Sequence, residues 1–362
     1  MTYLCSKLEK MRDKFFPIFS KWTLILTLVV TFAGGFVRMT GSGMGCPDWP
    51  KCFGHYIPPT DAKELEFQPN TSYDKRQMII KDEVLLRAKE DFISEEGYNP
   101  DNWEKYTKHD YVKFNVAHTW TEYVNRLAGA LLGVFCVLML IGSIIESERS
   151  NSKILFSFVV LILILFEAWL GMKVVESVLK PVMISLHMIG ALVILGIMIW
   201  MRAKYATPDI PKLQLPRGIF RWLWIVMILS VLQILMGTQV REGLSIVAKE
   251  MSQRSEWFNL LKGENWLDTN ISMLVLFYFH RSFSIVVGVL NYLVYRKLAP
   301  LFKVSIIRKL NNWILLTLLI EVVSGAIMYY VDVPGLMQLI HLVFASFLFA
   351  TQFYLFSVLK KN

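Results

Sequence analysis

Long apolar runs broken by isolated polar residues dominate the chain. Eight are long enough to cross a bilayer, which takes about 20 apolar residues. They fall at 20–39, 116–143, 154–172, 182–201, 219–239, 271–295, 312–331 and 335–358. The pattern predicts an all-α integral membrane protein with eight transmembrane helices. No small-residue cleavage site follows the first run, so it reads as a retained span and not a signal peptide. Two stretches depart from the pattern. Residues 40–115 are polar, and KRQMIIKDEVLLRAKEDFISEE at 75–96 reads as helical, so 55–115 is expected to form a small outer-face cap. Residues 243–270 mix apolar and charged positions and are expected to lie along the outer surface.

Composition agrees with a membrane chain. Hydrophobic residues make up 54% of it and the mean hydropathy is +0.44, too apolar for a soluble domain of 362 residues. The net charge of +9 would suit nucleic acid, but its distribution excludes that reading. Lys7, Lys10, Arg12 and Lys14, the stretches 202–221 and 296–309, and Lys360 and Lys361 all fall on one side of an eight-span arrangement. Basic residues accumulate on the cytoplasmic side, which puts both termini there. The expected organisation is a cytoplasmic segment 1–19, a four-helix half 20–201 carrying the outer loop 40–115, a cytoplasmic linker 202–218 and a second four-helix half 219–362.

Ionisable groups inside spans are costly and mark function. His280 and Arg281 stand side by side in the sixth run, and His341 in the eighth. Two neutral imidazoles on facing helices are a usual means of holding haem iron from both sides. The two halves also repeat. Gly34-x-x-x-Arg38 matches Gly237-x-x-x-Arg241, and EYVNRLAGALLG in run two lies over FYFHRSFSIVVG in run six. That register pairs Arg126 with Arg281 and Asn125 with His280. Glu167 precedes His187 by twenty residues, as Glu321 precedes His341, with Gly171 and Gly325 matched. An ordered set of this kind predicts two pseudo-symmetric four-helix bundles, each with a site between its second and fourth helices. His280, His341, His187 and Asn125 lie roughly 10–15 Å below the outer surface, at 1.5 Å per residue. Arg38, Arg126, Arg241 and Arg281 fall in the same outer half and would suit anionic haem propionates.

His118, Glu122 and Asn125 share one helix face. A carboxyl at the depth of Glu122 could move protons; the narrower alternative is a bond to Arg126, its i+4 neighbour. Cys46 and Cys52, placed outside the membrane, are expected to form a small-loop disulfide. Read as exposed, such a disulfide would also be open to thiol exchange. His55 and His109 read as exposed loop histidines.

The run G-x-x-V-R-x-T-G-S-G-x-x-C-P-D-W-P-x-C-x-G from Gly34 to Gly54 resembles the haem A synthase family. So do the acidic–arginine motif of run two, the Leu-His of run four, the Phe-His-Arg of run six and the Ile-His of run eight. The resemblance covers essentially the whole chain. It implies a bacterial inner-membrane oxidoreductase that oxidises a ring methyl of haem O to a formyl group, giving haem A for cytochrome oxidase. It implies haem b on His280 and His341, a substrate site in the N-terminal half, catalytic roles for Glu122 and His187 with His187 on haem iron, and pairing of Cys46 with Cys52. Haem O synthase and an electron donor are the implied partners. The family's second-span histidine is Asn125 here, and amides bind iron poorly. Either His187 holds the N-terminal haem alone or His118 substitutes. Two other classes stay open: a di-haem electron-transfer cytochrome, which needs two complete histidine pairs, and a non-catalytic haem-handling assembly protein.

Overall fold

The computed structural model describes residues 2–107, 114–146, 150–206, 211–250, 271–331 and 334–361. Eight long helices occur among them: α1 (Thr2–Met39), α2 (Val116–Ile145), α3 (Asn151–Glu176), α4 (Pro181–Tyr205), α5 (Ile219–Glu250), α6 (Ile271–Leu298), α7 (Ser305–Tyr330) and α8 (Gly335–Lys361). Each expected span falls on one of them, the seventh running one residue past its helix end at Tyr330. Seven are long and apolar enough to cross a membrane by composition alone. The eighth, α6, carries His280, Arg281 and Asn291, which lower its hydropathy. Helix α5 continues to Glu250, beyond the span expected for it. The rest of 243–270, from 251 onward, lies outside the described residues, as does His109.

Helices α1 to α4 pack around one another, as do α5 to α8, and the two sets meet where α1 and α4 lie against α5 and α8. The first bundle is centred on Cys136, Met139, Val160, Met198 and Met201. The second is centred on Leu223, Met227, Leu298, Ile314 and Leu355, and a third cluster, with Leu195, Ile234 and Phe349, fills the seam between them. Large apolar side chains on the outer helix faces, such as Leu165 and Ile285, are more than half exposed, as a lipid-facing surface allows. The seam has two forms. A Cβ on Gly35 would lie 2.8 Å from Leu342 of α8, so α1 and α8 approach closely. Helices α4 and α5 are instead joined by polar contacts, Gln239 Nε2 donating to Ser185 Oγ at 2.6 Å and Ser185 Oγ lying 3.3 Å from Thr238 Oγ1. In the second bundle a buried amide network ties three helices, with Gln352 Nε2 donating to Ser230 Oγ (3.0 Å) and Asn291 Oδ1 (2.9 Å).

The outer loop corrects one expectation. The stretch read as helical forms strands: β2 (Met78–Lys81) and β3 (Val84–Ala88) make an antiparallel hairpin. Between them Asp82 and Glu83 adopt φ of 49° and 58°, the conformation a two-residue hairpin turn demands. Strand β5 (Trp103–Lys105) pairs with β3, and β1 (Ser72–Tyr73) pairs with β4 (Phe92–Ile93). Met78, Ile79, Leu85 and Ala88 are buried, against Phe53 and Tyr106 on one side and Tyr73 and Trp103 on the other. The hydrophobic content of these strands therefore builds a small β cap over the first bundle.

Candidate functional site

In the second bundle α6 and α8 bring His280 and His341 together, with ring centres 6.4 Å apart and planes at 71°. Two imidazoles sharing one metal would have ring centres roughly 6 Å apart, given metal–nitrogen bonds of about 2 Å and the ring radius on each side. Glycines make room for both rings. A Cβ on Gly237 would sit 3.1 Å from His280 Cε1, and one on Gly325 would sit 3.5 Å from His341 Cε1. His341 Nδ1 lies 3.0 Å from Ser324 Oγ and 3.1 Å from Glu321 Oε2. These partners occupy Nδ1 and leave Nε2 as the ring nitrogen available to a metal. Ring spacing, glycine clearance and the oriented tautomer all fit a haem held from both sides. Arg281 is placed with its guanidinium 4.5 Å from the centre of the Tyr329 ring.

The first bundle repeats half of this. His187 Nδ1 lies 2.6 Å from Glu167 Oε2, and a Cβ on Gly171 would sit 3.7 Å from His187 Cε1. Glu167 fills a notch at Gly190, where an added Cβ would collide with its carboxylate. The opposite wall differs. Gly34 has nothing within 4 Å of its Cβ position, whereas its counterpart Gly237 carries His280. Asn125 Oδ1 is buried without a partner among the described residues. The His187 side chain is 44% exposed against 25% for His341, so the first site is the more open. His118 sits on the first turn of α2 with its carbonyl against Gly45.

Glu122 and Arg126 face the outer loop. Cys46 and Cys52 are disulfide-bonded, and both are buried, at 0% and 1% exposure. That burial corrects the reading of an exposed, exchangeable disulfide. Glu122 Oε2 accepts from Cys46 N at 2.8 Å, and its Oε1 accepts from Arg126 Nη2 at 2.5 Å. Arg126 Nη1 also donates to the carbonyls of Asp48 (2.8 Å) and Lys51 (2.9 Å), and Thr119 Oγ1 to that of Gly45 (2.8 Å). The narrower alternative for Glu122 is thus present and extended: the Glu122–Arg126 pair staples the disulfide turn to α2. Tyr106 Oη closes the turn from the cap side, donating to Pro47 O at 2.7 Å, and burial pushes its pKa up to about 12. Burial also raises the pKa of Asp48, against the N–H of Gly54 on its Oδ2, and lowers that of His55, which pairs its backbone with Cys52. Arg38 and Arg241 meet between the bundles, Arg241 Nη2 donating to Arg38 O at 3.4 Å.

Sequence reasoning did not single out Ser324, Gly190 or Gln233, whose Nε2 donates to His280 O at 2.9 Å. A signal was available for two of them. In the repeat register Ser324 stands over Leu170 and Gln233 over Val30, so the second half is polar where the first is apolar.

Comparison with known proteins places this geometry. A protein of Shewanella oneidensis named haem A synthase is 30% identical over 186 residues, covering 50% of this chain and 44% of that protein. Haem A synthases of Wolbachia pipientis wMel and Flavobacterium psychrophilum are 22% and 24% identical, covering 93% and 91% of this chain and 91% and 93% of their own lengths. The family COX15-CtaA, described as cytochrome oxidase assembly protein, matches residues 18–90 and 82–353. With that match running through both histidine sites, the chain belongs to the COX15-CtaA family.

Proposed function

We propose that this protein is a haem A synthase, an oxidoreductase converting a ring methyl of haem O to a formyl group. The observation that carries the proposal is the unequal duplication: a complete imidazole pair in the second bundle and a single carboxylate-held imidazole, opposite Asn125, in the first. Two axial ligands suit a low-spin haem that stays and passes electrons, and a haem that enters and leaves is better served by one. Haem b, bound by His280 and His341, would supply a one-electron relay. His187 would hold the iron of the substrate haem, with the Glu167 carboxylate lying beside its Nδ1 and Nε2 left to face the haem. Glu122 serves turnover by fixing the Cys46–Cys52 turn above the site, and any proton it moves passes along its contact with Arg126. Arg38, Arg241 and Arg281 would be the guanidinium groups that meet propionates. Arg126, already bonded to three carbonyls, contributes through the loop it holds.

The proposed setting is a bacterial inner membrane with both termini cytoplasmic and the β cap outside. The partners are haem O synthase as supplier and a separate electron donor. A di-haem cytochrome would need a second complete pair, and Asn125 removes it. Pigment extraction tests the reading. Expressed in a host that makes haem O but lacks its own converting enzyme, the chain should cause haem A to accumulate. Haem O persisting with the protein folded and b-haem present would overturn the enzymatic role and favour the haem-handling alternative.

A further inference from the structure

We propose that Gln233 is a positioning residue for His280: its side-chain oxygen receives the Nδ1–H of the imidazole whose Nε2 binds haem b. The proposal rests on the haem b reading above. Its first observation is an imbalance between the two ligands. His341 has Ser324 and Glu321 at Nδ1, whereas His280 Nδ1 is buried with no partner among the described residues. A ligating imidazole nearly always donates its second N–H, which fixes the tautomer and makes the ligand more electron-rich. His280 therefore has an unmet requirement.

Gln233 has the complementary one. Its Nε2 donates to the backbone carbonyl of His280 at 2.9 Å, so the amide is already anchored at that residue. Its Oε1 is buried and also has no partner among the described residues. A ring donor and an amide acceptor, both unmatched, thus lie on two residues already hydrogen-bonded to each other. A buried amide oxygen without a donor is costly, and the bond proposed here would supply that donor.

The internal repeat supplies a separate argument. The register that places Gly34 over Gly237 places Val30 over Gln233, and the facing position changes with it from Asn125 to His280. The bundle with an imidazole on its second helix has an amide to serve it; the bundle without one has an apolar residue. A glutamine needed only to join helices would have no reason to follow the histidine.

The test is redox titration of b-haem in the purified full-length chain. Removing the acceptor makes His280 a weaker donor to iron and favours the ferrous state, so Gln233→Leu should raise the midpoint potential. Gln233→Glu, with a stronger acceptor, should lower it. Both should keep a low-spin spectrum and stoichiometric haem. Potentials equal to the parent in both variants, or shifts of the same sign, would overturn the proposal and leave Gln233 a packing residue. His280→Ala measured alongside separates the two readings. If that variant keeps the parent b-haem spectrum, the ligand assignment fails. If it loses the spectrum while the Gln233 variants titrate like the parent, only the role of Gln233 fails.

Discussion

At the scale of single residues, the first-bundle site depends on how Glu167 is seated. Its carboxylate occupies space that any side chain at Gly190 would claim. Gly190→Ala should therefore displace Glu167 from His187, at a cost of about 1–3 kcal/mol for overpacking, and lower turnover while b-haem in the other bundle keeps its spectrum. Turnover equal to the parent would show that Glu167 does not orient His187. Asn125→His should be accommodated, because the wall at Gly34 is open, and extracted haem from that variant should still include haem A. Complete loss of haem A with retained b-haem would show instead that the site requires a vacant side opposite His187. The twenty-residue spacing of glutamate and histidine was legible in both copies as a sign of the repeat, but the contact into which a helical hairpin converts it was not read from the sequence. The notch at Gly190 was not legible, since it depends on how closely α3 and α4 approach, and no spacing along one strand of sequence encodes that.

At the scale of elements, the outer cap shows where hydrophobic patterning misleads. MIIK and VLLRA are short apolar runs flanked by charges, a length at which strand and helix periods cannot be separated. The Asp82–Glu83 turn also lacks the asparagine and glycine that usually announce a hairpin. The strands are set by burial against Phe53, Tyr73, Trp103 and Tyr106, of which only Tyr73 is near them in sequence. The same burial decides how the disulfide behaves. Cys46 lies under Glu122, Arg126 and the carbonyl of Thr119, with its Sγ 3.7 Å from that oxygen. A hydrophilic reductant applied to native membranes should leave the disulfide intact, and alkylating label should enter Cys46 and Cys52 only after denaturation. Rapid labelling under native conditions would contradict the buried position. Glu122→Gln keeps an acceptor for Cys46 N but loses the charge pair with Arg126, so it should loosen the turn. Labelling of the cysteines after mild reductant should then rise well above that of the parent, alongside the loss of haem A.

At the scale of the whole molecule, the eight spans and the twofold repeat were legible because membrane helices carry long-period signals that survive without any knowledge of contacts. The unequal filling of the two sites was legible too, at Asn125. The asymmetry of the seam was not, because tight packing at Gly35 and the hydroxyl contact of Ser185 with Thr238 arise only when the halves are brought together. The orientation proposed from charge has a direct check: alkaline phosphatase fused near residue 80 should be active, and an inactive fusion would reverse the assignment of faces. The two bundles, each with its own core, should also fail separately. His280→Ala or His341→Ala should remove the low-spin b-haem signal, since one axial position is then open. His187→Ala should leave that signal unchanged while haem O accumulates, because His187 contacts α3 and lies in the other bundle from both ligands. Polar contacts join the neighbourhoods of the two sites across α4 and α5, where Ser185 stands two residues from His187 and Thr238 adjoins the glycine under His280. If His187→Ala abolished the b-haem spectrum in folded protein, that seam would have to be carrying structure from one site to the other, and the reading of two separately built sites would fall.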